Sequence, residues 1–204
     1  MAHEPDPTSP DDLDDPSADG IGKMHFRRMD EGTRDDFEVL RRVHEHNLAA
    51  LPDLLLGLLG DLGADANYPI TRYEHSLQSA TRAWRDGRDE EYVVCALLHD
   101  IGESLGPLNH GEVVGAILAP FVSEANHWML TNHPVFQVYF YGTFLDLDPN
   151  ARDAYRDSPH FDRTAEFCAL YDEVSFDPDY DSEPITTFEP MVRRVLARSW
   201  TPPT

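Results

Sequence analysis

The stretch DEEYVVCALLHDIG, residues 89–102, decides the fold class. From Tyr92 to Leu98 it has no polar face, so a helix here must be covered on every side, as the central helix of a bundle is. Asp89 is placed to cap its start, while Gly102, Gly106 and Pro107 turn the chain into a loop after it. The same stretch ends in His99 and Asp100. Burying two such groups at the inner end of a core element costs several kcal/mol unless they are paired or bind a cation, on the order of the penalty for any uncompensated polar group.

Upstream, Thr71 followed by Glu74 has capping-box spacing and opens a helix that runs to about Asp86, where Gly87 stops it. Before that, Phe37, Leu40, Val43 and Leu48 recur at helical spacing behind Thr33 as N-cap. Pro52 is expected to interrupt this helix, with a second one, Leu54 to Leu62, following and a loop over 63–69. Downstream, Asn109 is expected to cap a helix from His110 to about Phe121, and Ser123 another. Pro134 is expected to mark a restart carrying FQVYFYGTFL, and further helices fall near 150–156, 160–175 and 187–197. No pair of runs alternates at period two around a tight turn, so the expected class is all-α, a helical bundle. Residues 1 to about 22, rich in proline and aspartate, are expected to form a disordered acidic tail, leaving 23–204 as one domain with helical extensions.

The chain has 204 residues and a formal net charge of −22, from 38 acidic against 16 basic side chains, with Lys23 its single lysine. Such a surface repels phosphate backbones and argues against nucleic acid as a partner. Cys95 and Cys168 sit in apolar helical patterns and read as reduced thiols. No apolar run approaches the roughly 18 to 20 residues needed to span a bilayer, and the acidic start is unlike a signal peptide. A cytoplasmic protein without a membrane partner is therefore expected. Neither a glycine-rich phosphate loop nor a GxSxG elbow is present.

Chemistry thus falls to histidines and carboxylates. His75 lies one turn into its helix, on a face with Ser79 and Arg82. His110 begins a helix, His133 stands between Asn132 and Pro134, and Asp172 lies inside the apolar FCALYDEVSF, where an uncompensated charge is costly. Each alone reads first as an ordinary structural side chain. Together with His99 and Asp100 they form an ordered series. Neutral imidazoles and carboxylates converging from several helices can hold two cations about 3.5 to 4 Å apart if one carboxylate bridges.

The segments EHSLQSA, LLHDIG, NHGEVVGAIL, TNHPVFQ and LYDEVSFDP resemble the HD-domain superfamily over residues 70–180, about half of the chain. The extra histidines at 110 and 133 resemble its dinuclear branch, and within it the mixed-valence di-iron oxygenases, the organophosphonate-cleaving enzymes and myo-inositol oxygenase. That resemblance implies a first metal on His75, His99 and Asp172, Asp100 as the catalytic bridge, and a second metal on His110 and His133. It implies two ions, iron foremost with manganese or zinc as alternatives, O2 as co-substrate and a small hydroxylated substrate, phosphonate-like or not. Tyr68 resembles a tyrosine that guards the metal in those enzymes, and reads otherwise as a loop aromatic packed on the core, while Glu103 and Gln137 occupy substrate-contacting positions.

Two positions depart from related patterns. Many HD phosphohydrolases read HDIGK where this chain has Glu103, which lowers the hydrolase reading. The phosphonate oxygenases carry a basic residue where this chain has Gln137, which counts against a phosphonate. Tyr139, Phe140, Tyr141 and Phe144 read either as core or as pocket wall for a small organic or ammonium group. Arg72, Arg82 and Arg88 read as surface ion pairs or as cations for an acidic substrate. Three readings stay open: a di-iron oxygenase, a metal-dependent phosphohydrolase, and a non-catalytic protein that metal holds together.

Overall fold

The computed structural model describes residues 20–64 and 67–197. Among the described residues there are seven α-helices, joined in part by 3-10 turns, and no strand, so the all-α bundle is what the chain forms. The tail expected over residues 1 to about 22 falls, up to residue 19, outside the described residues. The chain divides into two compact units, Met1–Leu51 and Pro52–Thr204.

Helix α1 (Arg34–Asp61) starts in the first unit behind Thr33, as its sequence predicts, and its residues from Pro52 on belong to the second. The Asp36 N–H donates to Thr33 Oγ1 at 3.2 Å, and the Asp36 carboxylate accepts from the Thr33 N–H at 2.9 Å. Hydrogen bonds from the Thr33 hydroxyl and the His25 N–H hold the Asp36 carboxyl down at about 2. The expected break at Pro52 does not occur, because α1 runs through it without interruption. Pro52 has no N–H for the Leu48 carbonyl four residues back, so the helix gives up one hydrogen bond there without ending. One further expectation changes with it. The fused helix holds an 18-residue window of mean hydropathy 1.2, long and apolar enough by length and composition to cross a membrane, with 22% of that window buried.

In the second unit, α2 (Arg72–Arg85) opens with the full capping box between Thr71 and Glu74. It closes at Gly87, whose φ of 73° is open to glycine and strained for other residues. There the Arg88 N–H reaches Ala83 O and the Gly87 N–H reaches Trp84 O, the double closure of a left-handed helix end. Helix α3 (Glu90–Leu98), capped by Asp89, is the predicted central helix: every residue from Tyr92 to Leu98 is buried. It lies between α2, α5 (Glu124–Tyr141) and α7 (Ile185–Leu196).

Helix α4 (His110–Leu118) lacks the expected Asn109 side-chain cap, and the Asn109 amide N–H donates to the Glu112 carboxylate. Ser123 caps α5 as expected, but α5 does not restart at Pro134 and continues straight through it. A π-turn, Cys168–Asp172, extends α6 (Phe161–Phe167), where sequence periodicity alone indicates ordinary helix. It is closed by the Glu173 N–H on Cys168 O at 2.9 Å.

Candidate metal centre

Six side chains from five places along the chain meet in one cluster: His75 of α2, His99 and Asp100 past the end of α3, His110 at the start of α4, His133 of α5, and Asp172 closing the π-turn. Local chemistry orients each imidazole. The His75 Nδ1–H donates to Ser175 O at 2.9 Å, that of His99 to Ala96 O at 2.8 Å, and that of His133 to Leu130 O at 2.8 Å. A carbonyl can only accept, so in these three rings the proton sits on Nδ1 and the Nε2 lone pair faces inward. The free carbonyls have local causes. Ala96 lies in the last turn of α3, where carbonyls lack a helical donor. Leu130 is left without one by Pro134, which has no N–H. The dipeptide His133-Pro134 thus both supplies the ring and frees the acceptor that aims it.

His110 is oriented by a side chain. Its Nδ1 lies 3.0 Å from Glu103 Oε1, so its Nε2 also points inward. The result is two pairs of acceptors facing each other, His75 Nε2 and His99 Nε2 at 3.1 Å and His110 Nε2 and His133 Nε2 at 3.3 Å. Two lone pairs at such range repel unless a proton or cation lies between them. About 3 Å is also the separation of two nitrogens bound at right angles to one ion with bonds of about 2.1 Å.

Asp100 joins the two pairs. Its Oδ2 stands 3.5 Å from His99 Nε2 and 3.7 Å from His75 Nε2, while its Oδ1 stands 3.4 Å from His133 Nε2 and 3.6 Å from His110 Nε2. Asp172 completes the first group, with Oδ1 3.3 Å from His75 Nε2 and 3.6 Å from His99 Nε2. Its Oδ2 is buried with no hydrogen-bond partner, a costly state for a carboxylate that a cation relieves. The residues therefore fit a metal site. No thiolate joins them, because Cys168 turns its thiol toward His133 O at 3.6 Å and burial pushes its pKa up.

Titration behaviour carries the same charge balance. Burial opposes protonation of His99, but Asp100 and Asp172 outweigh it and lift the ring from 6.5 to about 9. Burial likewise disfavours the charged forms of Asp100 and Asp172, yet His99 and its neighbouring rings hold both carboxyls below the ordinary aspartate value. His110 moves down, through burial and the adjacent His133.

No family model matches the chain. A segment of 50 residues is 48% identical to [1-hydroxy-2-(trimethylamino)ethyl]phosphonate dioxygenase (glycine-betaine-forming) of Leisingera caerulea. The match covers 23% of this chain and 26% of that one. The chain is thus similar, over about a quarter of its length, to an oxygenase, and it carries a His/Asp cluster compatible with metal.

A cavity of about 690 Å³ opens onto the cluster. Of the three positions singled out for substrate in the sequence, Tyr68, Glu103 and Gln137, all line it. So do Phe140, Tyr141 and Phe144 of the aromatic group, whereas the Tyr139 ring lies elsewhere, under the Arg152 guanidinium at 3.5 Å. Among the arginines, Arg72 lines the cavity. Arg82 is spent on Val174 O and the Tyr180 ring, and Arg88 on Glu166 and the Tyr171 hydroxyl. Sequence reasoning missed Phe176, which stacks on His75 at 4.4 Å and carries Tyr68 on its other side at 5.9 Å. Its place four residues after Asp172, in the same short segment, was the available signal.

Proposed function

We propose that this chain is a dinuclear metal-dependent oxygenase of the HD type, acting on a small hydroxylated molecule with O2. The observation that carries the reading is Asp100, one carboxylate whose two oxygens face two separate histidine pairs. On this reading His75, His99 and Asp172 hold one cation, His110 and His133 the other, and Asp100 bridges them. Imidazole and carboxylate donors suit iron, manganese or zinc. The partial likeness to a phosphonate dioxygenase supports oxygen chemistry over simple hydrolysis. When bound, a pair of irons would supply oxygen activation and oxidation of a carbon–hydrogen bond.

The chain's own residues do the rest. Phe140, Tyr141, Phe144 and Leu145 give the cavity an apolar wall that limits water, while the Gln137 amide offers a neutral polar contact to the substrate. Tyr68 and Phe176 cover the His75 edge. A neutral Gln137 and a cavity whose lining guanidinium is already engaged by Glu103 favour a substrate with less anionic charge than a phosphonate. An open cavity against the ligands also argues against a purely structural metal site, since those are coordinatively closed.

Metal analysis of anaerobically purified protein tests the reading. Two irons per chain with an antiferromagnetically coupled mixed-valence signal, and oxygen uptake with substrate, are the expected result. Phosphatase turnover with manganese or magnesium and no oxygen uptake would replace it with the hydrolase.

A further inference from the structure

We propose that Glu103 and Arg72 act as a positioning pair for His110, so that the affinity of the second cation position depends on a contact the first position lacks. The inference rests on the two-cation reading. Three of the four imidazoles are aimed by backbone carbonyls, acceptors that belong to the main chain. His110 is the exception, aimed by the Glu103 carboxylate at 3.0 Å. A charged acceptor on Nδ1 both fixes the tautomer and strengthens Nε2 as a donor.

Glu103 does not hold this position unaided. The same oxygen, Oε1, lies 3.0 Å from Arg72 Nη1, and the Arg72 Nη2 donates to the Tyr68 hydroxyl at 2.9 Å. Both partners of the ion pair are well shielded, 19% and 17% exposed. A carboxylate beside the cavity would otherwise swing toward water, so Arg72 keeps it against His110. Tyr68, Arg72, Glu103 and His110 thus form a continuous polar chain from the cavity rim to the second histidine pair. The second position needs this support more than the first. Two imidazoles and the shared carboxylate serve it, where the first position also has Asp172.

Titration of the metal-free protein with Co²⁺ against a chromophoric chelator tests the pair, read together with the cobalt absorption bands and the melting midpoint. Wild type is expected to take up two ions. Glu103→Ala should weaken the second about 10- to 100-fold, leaving the first affinity, its bands and the melting midpoint in place. Glu103→Gln, which keeps an acceptor oxygen, should recover part of that loss. Arg72→Ala should weaken the second position less than Glu103→Ala does, and Arg72→Lys should restore it. If wild type binds two ions and Glu103→Ala binds the second as tightly, or weakens both positions alike, the positioning role is overturned while the two-cation reading stands. Uptake of a single ion by wild type would overturn both.

Discussion

At the residue scale, a charge that belongs to no single residue governs the cluster. In the metal-free chain His99 is lifted from 6.5 to about 9, because Asp100 and Asp172 outweigh the opposing burial. A raised folded pKa stabilises the folded state fully below the unfolded value and loses that contribution as pH climbs through the folded one. The chelated protein should therefore melt at progressively lower temperature between pH 6.5 and about 9. Asp100 and Asp172 act with opposite sign, since their depressed values contribute stability above 3.8 that fades as the solution becomes more acid. A bound cation takes the place of the His99 proton, so the alkaline fall should vanish in metal-loaded protein. Equal slopes with and without chelator, read by scanning fluorimetry, would contradict this. Asp100 makes the second test at this scale. Asp100→Ala and His99→Ala should both lose metal, Asp100→Ala at both positions, and wild-type metal content in Asp100→Ala would refute its role as bridge.

At the element scale, close approach of backbones places the second histidine pair. A methyl on Gly102 would lie 2.2 Å from His110 O, and one on Gly115 2.3 Å from Thr131 Oγ1. Bare backbone at these points lets α4 sit down on the loop after α3 and on α5, which brings His110 to His133. Gly102→Ala must push the start of α4 outward, at a cost of about 2 kcal/mol by analogy with overpacked cores. Loss of the second metal equivalent with helical circular dichroism retained is the expected outcome. Pro134 offers a subtler test. Pro134→Ala restores an N–H that competes with His133 Nδ1 for Leu130 O, so the second metal should bind more weakly while helix content stays constant. Unchanged affinity in a two-position titration would show that the ring needs no such acceptor. The π-turn belongs to this scale as well, because its extra residue per turn brings the Asp172 carboxylate against His75 and His99.

At the scale of the whole molecule, the cluster gathers residues from three α-helices and the turns beside them, so a cation held there would stabilise the fold. Removing metal held at a thousand times its dissociation constant should cost about 4 kcal/mol of stability. A melting midpoint insensitive to chelator would mean that the ion, if any, is incidental. Much of this architecture was legible in advance. Binary patterning exposed α3 as the central helix, and the caps at Thr33, Thr71, Asp89 and Ser123 stand where the sequence places them. Local rules failed at Pro52 and Pro134, because a proline need not end a helix when packing holds the helix together or when a neighbouring group takes up the freed carbonyl, as the His133 ring does for Leu130. By itself the sequence determined the helical class, the element order and the set of histidines and aspartates, since these follow from local periodicity and residue chemistry. Only the tertiary structure decided that one aspartate faces both histidine pairs, that Glu103 and Arg72 brace His110, and that Phe176 backs His75. Those relations join side chains as many as 101 positions apart, and no periodicity along a chain encodes which distant turns come to rest within a few ångströms of one another.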